Sequence, residues 1–206
     1  MERAAIIGAG LVLGGLAVWL SAAQPDGAVN LQDDHGSTFL EEAMSQVSNL
    51  TISVSDVLYH PQVRAFLALI RTGEGTSGPN GYRTMFGGSL FTSFADHPRQ
   101  LVVRGGYRST AAGAYQFLTG TWDEMASKYG LTDFTPDSQD VAAVGLIKRR
   151  GALADVLDGR FRAAIDKCNK EWASLPGSPY GQPTLSYTRA QSVLLASGAN
   201  ILGTVA

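Results

Sequence analysis

An apolar stripe that ends on a carboxylic acid most constrains how this chain folds. The stripe recurs at the three- and four-residue spacing of a helix and consists of Val63, Phe66, Leu67 and Ile70. Glu74 falls on the same face one turn later, and Pro61 suits the first position of such a helix. The pattern predicts a helix that begins near Pro61, packs one face on a core and carries Glu74 inward at its end.

A carboxyl group on the inward face of a helix is partly removed from water, and desolvation raises its pKa. An acid that keeps its proton near neutral pH can serve as the general acid that cleaves a glycosidic bond. Gly73 and Gly75 leave room beside Glu74 for a substrate. The alternative is a solvated glutamate that merely ends a helix.

Composition excludes several other classes. The chain has 206 residues, 45% of them hydrophobic, which suits one domain with an appendage, and a net charge of −2, which gives no bulk signal for nucleic acid. Cys168 is the single cysteine, so no internal disulfide forms, and the three histidines show no ligand spacing. We expect neither a metal nor a cofactor.

The amino terminus differs from the rest. Residues 4–23 carry no charge and are long enough to cross a bilayer as a helix. We expect an uncleaved membrane anchor. Small residues at Ser21-Ala22-Ala23 leave open a cleaved signal peptide, and a buried helix is the third interpretation.

The remaining chain divides by composition. Residues 1–23 form the anchor or signal segment, 24–55 a polar tether with a short helix, and 56–206 the catalytic domain. A small β-hairpin is predicted within Phe86–Phe94. Further helices are predicted along Trp122 to Gly130, Thr135 to Arg150, Phe161 to Trp172 and Thr184 to Ser197. The fold class is therefore α+β, a mostly helical domain with a small sheet, preceded by a transmembrane helix.

Five short motifs occur in order between about Pro61 and Ser197. They are Glu74-Gly75-Thr76; Gly87-Gly88-Ser89-Leu90-Phe91-Thr92 with Asp96-His97-Pro98-Arg99; Ser109-Thr110-Ala111-Ala112-Gly113-Ala114-Tyr115-Gln116; Ser138-Gln139-Asp140; and Trp172-Ala173-Ser174-Leu175-Pro176-Gly177 followed by Tyr180-Gly181-Gln182. In these five motifs and their order, the chain resembles the phage lambda endolysin family of lysozyme-like lytic transglycosylases.

The resemblance implies a lysozyme-like fold and cleavage of the β-1,4 bond between N-acetylmuramic acid and N-acetylglucosamine in peptidoglycan. The muramic C6 hydroxyl attacks its own anomeric carbon and leaves a 1,6-anhydro end. Glu74 would protonate the leaving oxygen and then accept the hydroxyl proton. Because the nucleophile is intramolecular, a second carboxylate is optional.

Asp96 is the nearest candidate for a second carboxylate, but Asp96-His97-Pro98-Arg99 has the pattern of a turn. In that turn His97 has a structural role. Family members can carry an acid after the tyrosine that matches Tyr82, and here that place holds Arg83. A hydrolytic muramidase remains an alternative, as does a non-enzymatic wall-binding or structural virion protein.

By the same resemblance, substrate contacts are expected from five residues: Tyr115, Gln116, Ser174, Tyr180 and Gln182. For Tyr115 and Gln116 the alternatives are a core ring and a helix cap. The expected partners are peptidoglycan glycan strands, a membrane through residues 4–23, and virion or membrane proteins. The enzyme would sit at the host inner membrane facing the periplasm, or in a virion membrane, acting in lysis or in entry.

Overall fold

Helices dominate the part of the chain that the computed structural model describes, which comprises residues 12–13, 16–17, 40–44, 47 and 51–206. The chain separates into two units, Met1–Ser37 and Thr38–Ala206. The second unit begins ahead of the domain boundary that composition places near residue 56, and its core includes Val54 and Leu58.

The described residues of the first unit are strands. Strand β1, Val12–Leu13, pairs antiparallel with β2, Leu16–Ala17. The predicted membrane anchor is wrong for these residues, because they form paired strands and not a helix. Within the described ranges, no helix has the length and apolar character to cross a membrane. The predicted membrane localisation is corrected accordingly; the rest of residues 4–23, with the cleavage site, lies outside the described residues.

The second unit contains seven named helices in its described part. They are α1 (Val54–Val57), α2 (Pro61–Gly73), α3 (Thr119–Tyr129), α4 (Pro136–Arg149), α5 (Leu153–Leu157), α6 (Phe161–Cys168) and α7 (Tyr187–Ala196). Residues 40–44 and 47 are also helical, as predicted for the tether, while the neighbouring positions of that prediction lie outside the described residues.

Local signals set the ends of these helices. Pro61 opens α2, and the His60 side chain accepts the Gln62 N–H at 3.3 Å. Thr135 caps α4 ahead of its proline, and Gly130 ends α3 at a φ of 65°, the left-handed value that glycine tolerates. The predicted helices from Pro61, Trp122, Thr135, Phe161 and Thr184 are thus confirmed, although α6 stops at Cys168 before Trp172.

A β-hairpin is present, but it lies further along the chain than predicted. Strand β3, Val102–Arg104, pairs with β4, Tyr107–Ser109. Gly105 and Gly106 form the turn with φ values of 58° and 82°. Positive φ at both central residues is what a two-residue hairpin turn requires.

The segment Phe86–Phe94 does not form the hairpin that its alternating aromatics predict. Phe86–Gly88 is a 3-10 turn whose central glycine has a φ of 80°, which interrupts a strand. The Phe91 ring packs on the Phe94 and Phe134 rings, at centroid distances of 5.6 Å in both cases. The alternation therefore reflects core packing.

Helix α2 lies at the centre of the domain and contacts α4, α5 and α7. Its predicted inward face is confirmed, since Val63, Phe66 and Ile70 are fully buried. The core continues into an aromatic cluster around Phe134, whose ring lies 4.6 Å from that of Trp122. This packing anchors α2 along its length and fixes the position of its carboxyl end.

Asp140 is a buried acidic side chain beside this core and is 4% exposed. Its carboxylate accepts hydrogen bonds from the Tyr115 hydroxyl at 2.5 Å and the Tyr82 hydroxyl at 2.8 Å. Arg64 of α2 donates to the other oxygen at 2.5 Å. Asp140 thus joins α2, the 3-10 turn Gly81–Arg83 and α4.

We expect Asp140→Ala to lower the free energy of unfolding by about 3 kcal/mol, because the buried Tyr115 hydroxyl loses its acceptor and Arg64 its partner. Urea unfolding followed by circular dichroism measures this. The matched control is Asp158→Ala, whose half-exposed carboxylate pairs with Arg160 and should change stability by less than about 1 kcal/mol. Equal losses in the two variants would contradict a central role for Asp140.

Candidate active site

Glu74 follows the last residue of α2, and its N–H donates to the Ile70 carbonyl at 2.9 Å. The side chain is partly buried. Burial raises the pKa of Glu74, and the hydroxyl of Ser174 lowers it by a smaller amount. Among the described residues, no charged side chain contributes to this shift. The site therefore holds a carboxyl group whose pKa lies above its ordinary value.

Ser174 lies directly on this carboxyl group. Its hydroxyl donates to Glu74 Oε1 at 2.6 Å. The approach depends on Gly73, because a Cβ there would lie 2.5 Å from Ser174 Oγ. Leu185 N–H donates to the Ser174 carbonyl at 2.8 Å and closes the loop that follows. Ser174 was predicted to contact substrate; the structure places it against the acid.

Gln116 is held in a strained conformation. Its φ is 50°, which is uncommon for a residue with a side chain. Its Nε2 donates to the carbonyls of Thr84 at 3.0 Å and Gly113 at 2.9 Å. Within residues 51–206 no hydrogen-bond donor reaches Gln116 Oε1, so this oxygen is available to a ligand. Gln116 as a substrate contact stays a prediction.

A hydrogen bond ties this turn to the end of α2. The Thr76 hydroxyl, two residues after Glu74, donates to the Ala114 carbonyl at 2.5 Å. Gln139 of α4 holds the same turn, since its Oε1 accepts the Ala114 N–H at 2.8 Å. Glu74, Ser174 and the turn bearing Gln116 therefore belong to one connected part of the structure.

Tyr115 is a core residue in this structure. Its side chain is 2% exposed and its hydroxyl is bonded to Asp140. Burial raises the pKa of Tyr115 well above its ordinary value. A ring in this position has no free surface for a sugar, which favours the core alternative left open by the sequence.

Tyr180 and Gln182 lie on the loop between Ser174 and Leu185. Tyr180 is 56% exposed, and its hydroxyl donates to the Lys170 carbonyl at 3.0 Å. Gln182 is exposed. The loop begins at the residue that touches Glu74, which suits a substrate contact, and both assignments stay predictions.

Asp96 is engaged elsewhere. It pairs with Arg99 at 2.8 Å, and it accepts hydrogen bonds from Trp122 Nε1 at 3.3 Å and from the His97 N–H at 2.7 Å. The hydrogen bond from Arg99 is the main reason that the pKa of Asp96 is lowered. Asp96 is therefore a charged turn residue, as the sequence pattern indicates.

His97 is buried and has both ring nitrogens bonded. Nδ1 accepts the Arg99 N–H at 3.0 Å, and Nε2 lies 2.9 Å from the Phe117 carbonyl. Burial lowers the pKa of His97. The neutral ring that donates from Nε2 satisfies both contacts, which fits a structural role.

Next to Gln116 is a cavity of about 80 Å³ that the sequence does not reveal. Its lining includes Trp172 and Glu171. Glu171 is held by Arg149 and Arg150, each at 2.8 Å.

Across the described ranges, no group of His, Cys, Asp and Glu is arranged to hold a metal ion.

We expect Glu74→Gln to raise the melting temperature at neutral and alkaline pH. The folded-state pKa of Glu74 is above its ordinary value of 4.5, so wild type is destabilised, relative to the variant, as pH rises through that raised pKa. Below 4.5 the carboxyl group is neutral in both the folded and unfolded states, and the difference should vanish. Thermal melts across pH measure this; Glu42→Gln, at an exposed position, should show no such trend. A pH-independent difference for Glu74→Gln would contradict the raised pKa.

Comparison with known proteins identifies the family. The Endolysin family matches residues 64–201. The endolysin of Escherichia phage lambda is 46% identical over 128 residues, which cover 59% of this chain and 81% of that protein. The endolysin of Escherichia phage P2 is 37% identical over 155 residues, covering 68% of this chain and 94% of that protein.

Solved structures agree. Bacteriophage lambda lysozyme complexed with a chitohexasaccharide has a TM-score of 0.66 at 39% identity, covering 69% of this chain and 97% of that one. Lysozyme from bacteriophage lambda has a TM-score of 0.61 at 40% identity with the same coverage. The fold is therefore the lysozyme-like α+β fold that the motifs predict, and the chain belongs to the endolysin family.

Proposed function

We propose that this endolysin is a lytic transglycosylase that cleaves the N-acetylmuramic acid–β-1,4–N-acetylglucosamine bond of peptidoglycan and leaves a 1,6-anhydro end. Family membership supports the broader assignment, a peptidoglycan-degrading enzyme that acts in host lysis. The assignment as a lytic transglycosylase is supported by the raised pKa of Glu74. In the described part of the chain, one hydroxyl group and no charged side chain influences this pKa.

In the first step Glu74 acts as general acid. Because burial disfavours its charged form, it retains a proton at a higher pH than an ordinary glutamate. The carboxyl proton passes to the glycosidic oxygen as the bond to the anomeric carbon breaks. The N-acetylglucosamine portion leaves with a new hydroxyl, and Glu74 becomes a carboxylate.

In the second step the same carboxylate acts as general base. It accepts the proton of the muramic C6 hydroxyl while that oxygen bonds to the anomeric carbon. Glu74 is thereby protonated again, so the cycle is balanced without water. The hydrogen bond from Ser174 at 2.6 Å stabilises the charged state between the two steps. The effective concentration of an intramolecular hydroxyl replaces the activation of water by a second group.

The surroundings of Glu74 support this route over hydrolysis by two carboxylates. In retaining glycosidases the two groups lie about 5–5.5 Å apart, a distance at which each affects the pKa of the other. No such influence acts on Glu74 from the described residues. Asp96 is paired with Arg99, and Asp140 is buried among Tyr82, Tyr115 and Arg64.

Substrate positioning falls to residues around the acid. We assign Gln116 Oε1 to an amide or hydroxyl donor of the sugar next to the scissile bond, and Tyr180 and Gln182 to the glycan further along the cleft. Ser174 acts on Glu74 and borders the same space. The complex of lambda lysozyme with a chitohexasaccharide supports a cleft for an extended glycan in this fold.

The first test is mass spectrometry of muropeptides released from purified Gram-negative sacculi by the full chain. We expect products with anhydro-muramic ends, one water lighter than reducing ends. Glu74→Gln should release none above background, because an amide is far too weak an acid to protonate the leaving oxygen. Asp96→Asn is the matched control and should give the same products as wild type.

Each other outcome contradicts part of the proposal. Reducing ends would establish a hydrolase, and loss of activity in Asp96→Asn would identify its second carboxylate. A Glu74→Gln variant as active as wild type would remove Glu74 from the acid role. A folded wild-type protein that binds sacculi without releasing muropeptides would indicate a wall-binding protein.

A second test uses pH. Ser174 lowers the pKa of Glu74, so Ser174→Ala should raise it, and the alkaline limb of kcat/KM should move to higher pH. Turbidity assays on sacculi across pH measure this. Ser178→Ala on the same loop is the control, because Ser178 Oγ has no partner among the described residues. An unchanged limb in Ser174→Ala would contradict the coupling between Ser174 and Glu74.

A further inference from the structure

The hairpin β3–β4 carries positive charge without compensation. The sequence contains no aspartate or glutamate between Asp96 and Asp123. Within this stretch the hairpin holds Arg104 and Arg108, both exposed. In the described part of the structure neither forms a salt bridge. Two guanidinium groups are thus free to pair with an anion.

The two arginines lie on opposite faces of the hairpin. Arg104 is opposite Tyr107, and Val103 is opposite Arg108. Successive pairs of an antiparallel ladder point to opposite faces. Val102 packs against the core, so Arg104 and Tyr107 share the face that is turned toward the domain, while Arg108 is on the outer face.

The inward face nevertheless has open space beneath its tip. Tyr107 is 72% exposed although it lies on that face. Arg104 extends over the Phe86–Gly88 turn, because a Cβ on Gly87 would lie 2.8 Å from Arg104 Cδ. The tip therefore presents a guanidinium group and an aromatic ring side by side over an uncovered surface.

The hairpin is linked to the candidate active site through the Phe86–Gly88 turn. The Phe86 N–H donates to the Ala111 carbonyl at 2.7 Å. Ala111 leads into the turn that carries Gln116, and the next residue, Ala112, bridges to Met85. The hairpin and the turn that carries Gln116 thus both contact the segment from Met85 to Gly88.

We propose that Arg104, beside Tyr107, binds a carboxylate of the peptide stem that muramic acid carries in peptidoglycan. This inference rests on the proposed function. A guanidinium group matches a carboxylate with two parallel hydrogen bonds, and the Tyr107 ring supplies an apolar surface for the aliphatic part of the stem. The contact selects stem-bearing strands over bare glycan, and Arg104 is a specificity residue rather than a catalytic one.

Binding to the full-length Glu74→Gln chain tests the proposal without turnover. The probes are uncleaved muropeptide tetrasaccharides with intact stems and the same glycans after amidase treatment, which keep only the lactyl carboxylate. In this background Arg104→Gln should weaken binding of the stem-bearing glycan by about tenfold, the size of a charge-assisted contact. Binding of the stem-free glycan should change by less than about twofold.

Two control variants distinguish a direct contact of Arg104 with the ligand from an effect of the protein's overall charge. Arg108→Gln makes the same charge change on the outer face, and Arg189→Gln makes it on α7, where Arg189 is exposed and forms no salt bridge with a described residue. Both should leave affinity for the stem-bearing glycan nearly unchanged. Arg104→Lys keeps the charge without the planar fork and should bind with intermediate affinity.

Other results overturn the inference. An equal loss in Arg104→Gln and Arg108→Gln would mean a diffuse field effect, and an equal loss for both glycans would place the contact on the sugar or its lactyl group. No loss in Arg104→Gln would remove the site. The binding affinities do not depend on the reaction type. Reducing ends in the product assay would overturn the proposed transglycosylase reaction and would leave the binding result unchanged.

Discussion

The carboxylate of Asp140 organises the part of the domain that surrounds the acid. It gathers donors from Arg64 in α2, Tyr82 in a 3-10 turn and Tyr115 in the turn before α3. A buried charge is tolerated only when its oxygens are satisfied, so these three segments must meet at one point. Their meeting fixes the α2 axis against the turn that carries Gln116.

Glu74, which directly follows the helix that carries Arg64, has a contrasting environment. Asp140 receives three donors, one of them a guanidinium group, whereas Glu74 receives one hydroxyl in the described structure. The first arrangement holds a charge in place and contributes to stability. The second leaves the charge of Glu74 poorly compensated, and the proposed acid–base chemistry uses that property. In the proposed mechanism, Asp140 thus serves the structure and Glu74 serves the reaction.

The sequence was sufficient to predict the features that depend on residues close together in the chain. Pro61 and the apolar stripe were sufficient for α2, and Asp96-His97-Pro98-Arg99 was sufficient for a turn with a bonded aspartate. Contacts between distant segments left no readable pattern: Tyr82 and Asp140 are 58 residues apart. The hairpin was misplaced because Gly87-Gly88 and Gly105-Gly106 are both glycine pairs near β-type residues. The first pair is flanked by the isolated bridge Thr84–Leu90, whereas the second joins a ladder of three residue pairs. The membrane helix was predicted from hydropathy alone, which does not reveal whether Val12–Leu13 has a strand partner.

The contact between Glu74 and Ser174 spans 100 residues of sequence. The carboxyl group therefore obtains its final environment only when the carboxyl-terminal part of the chain has folded back against α2. The last residues complete this closure, since Gln62 near the start of α2 bonds to Asn200, and Val205 is fully buried. A nascent chain emerging from the ribosome carries Glu74 early, but the carboxyl group lacks its final environment until the segment from Ser174 to Val205 has been synthesised.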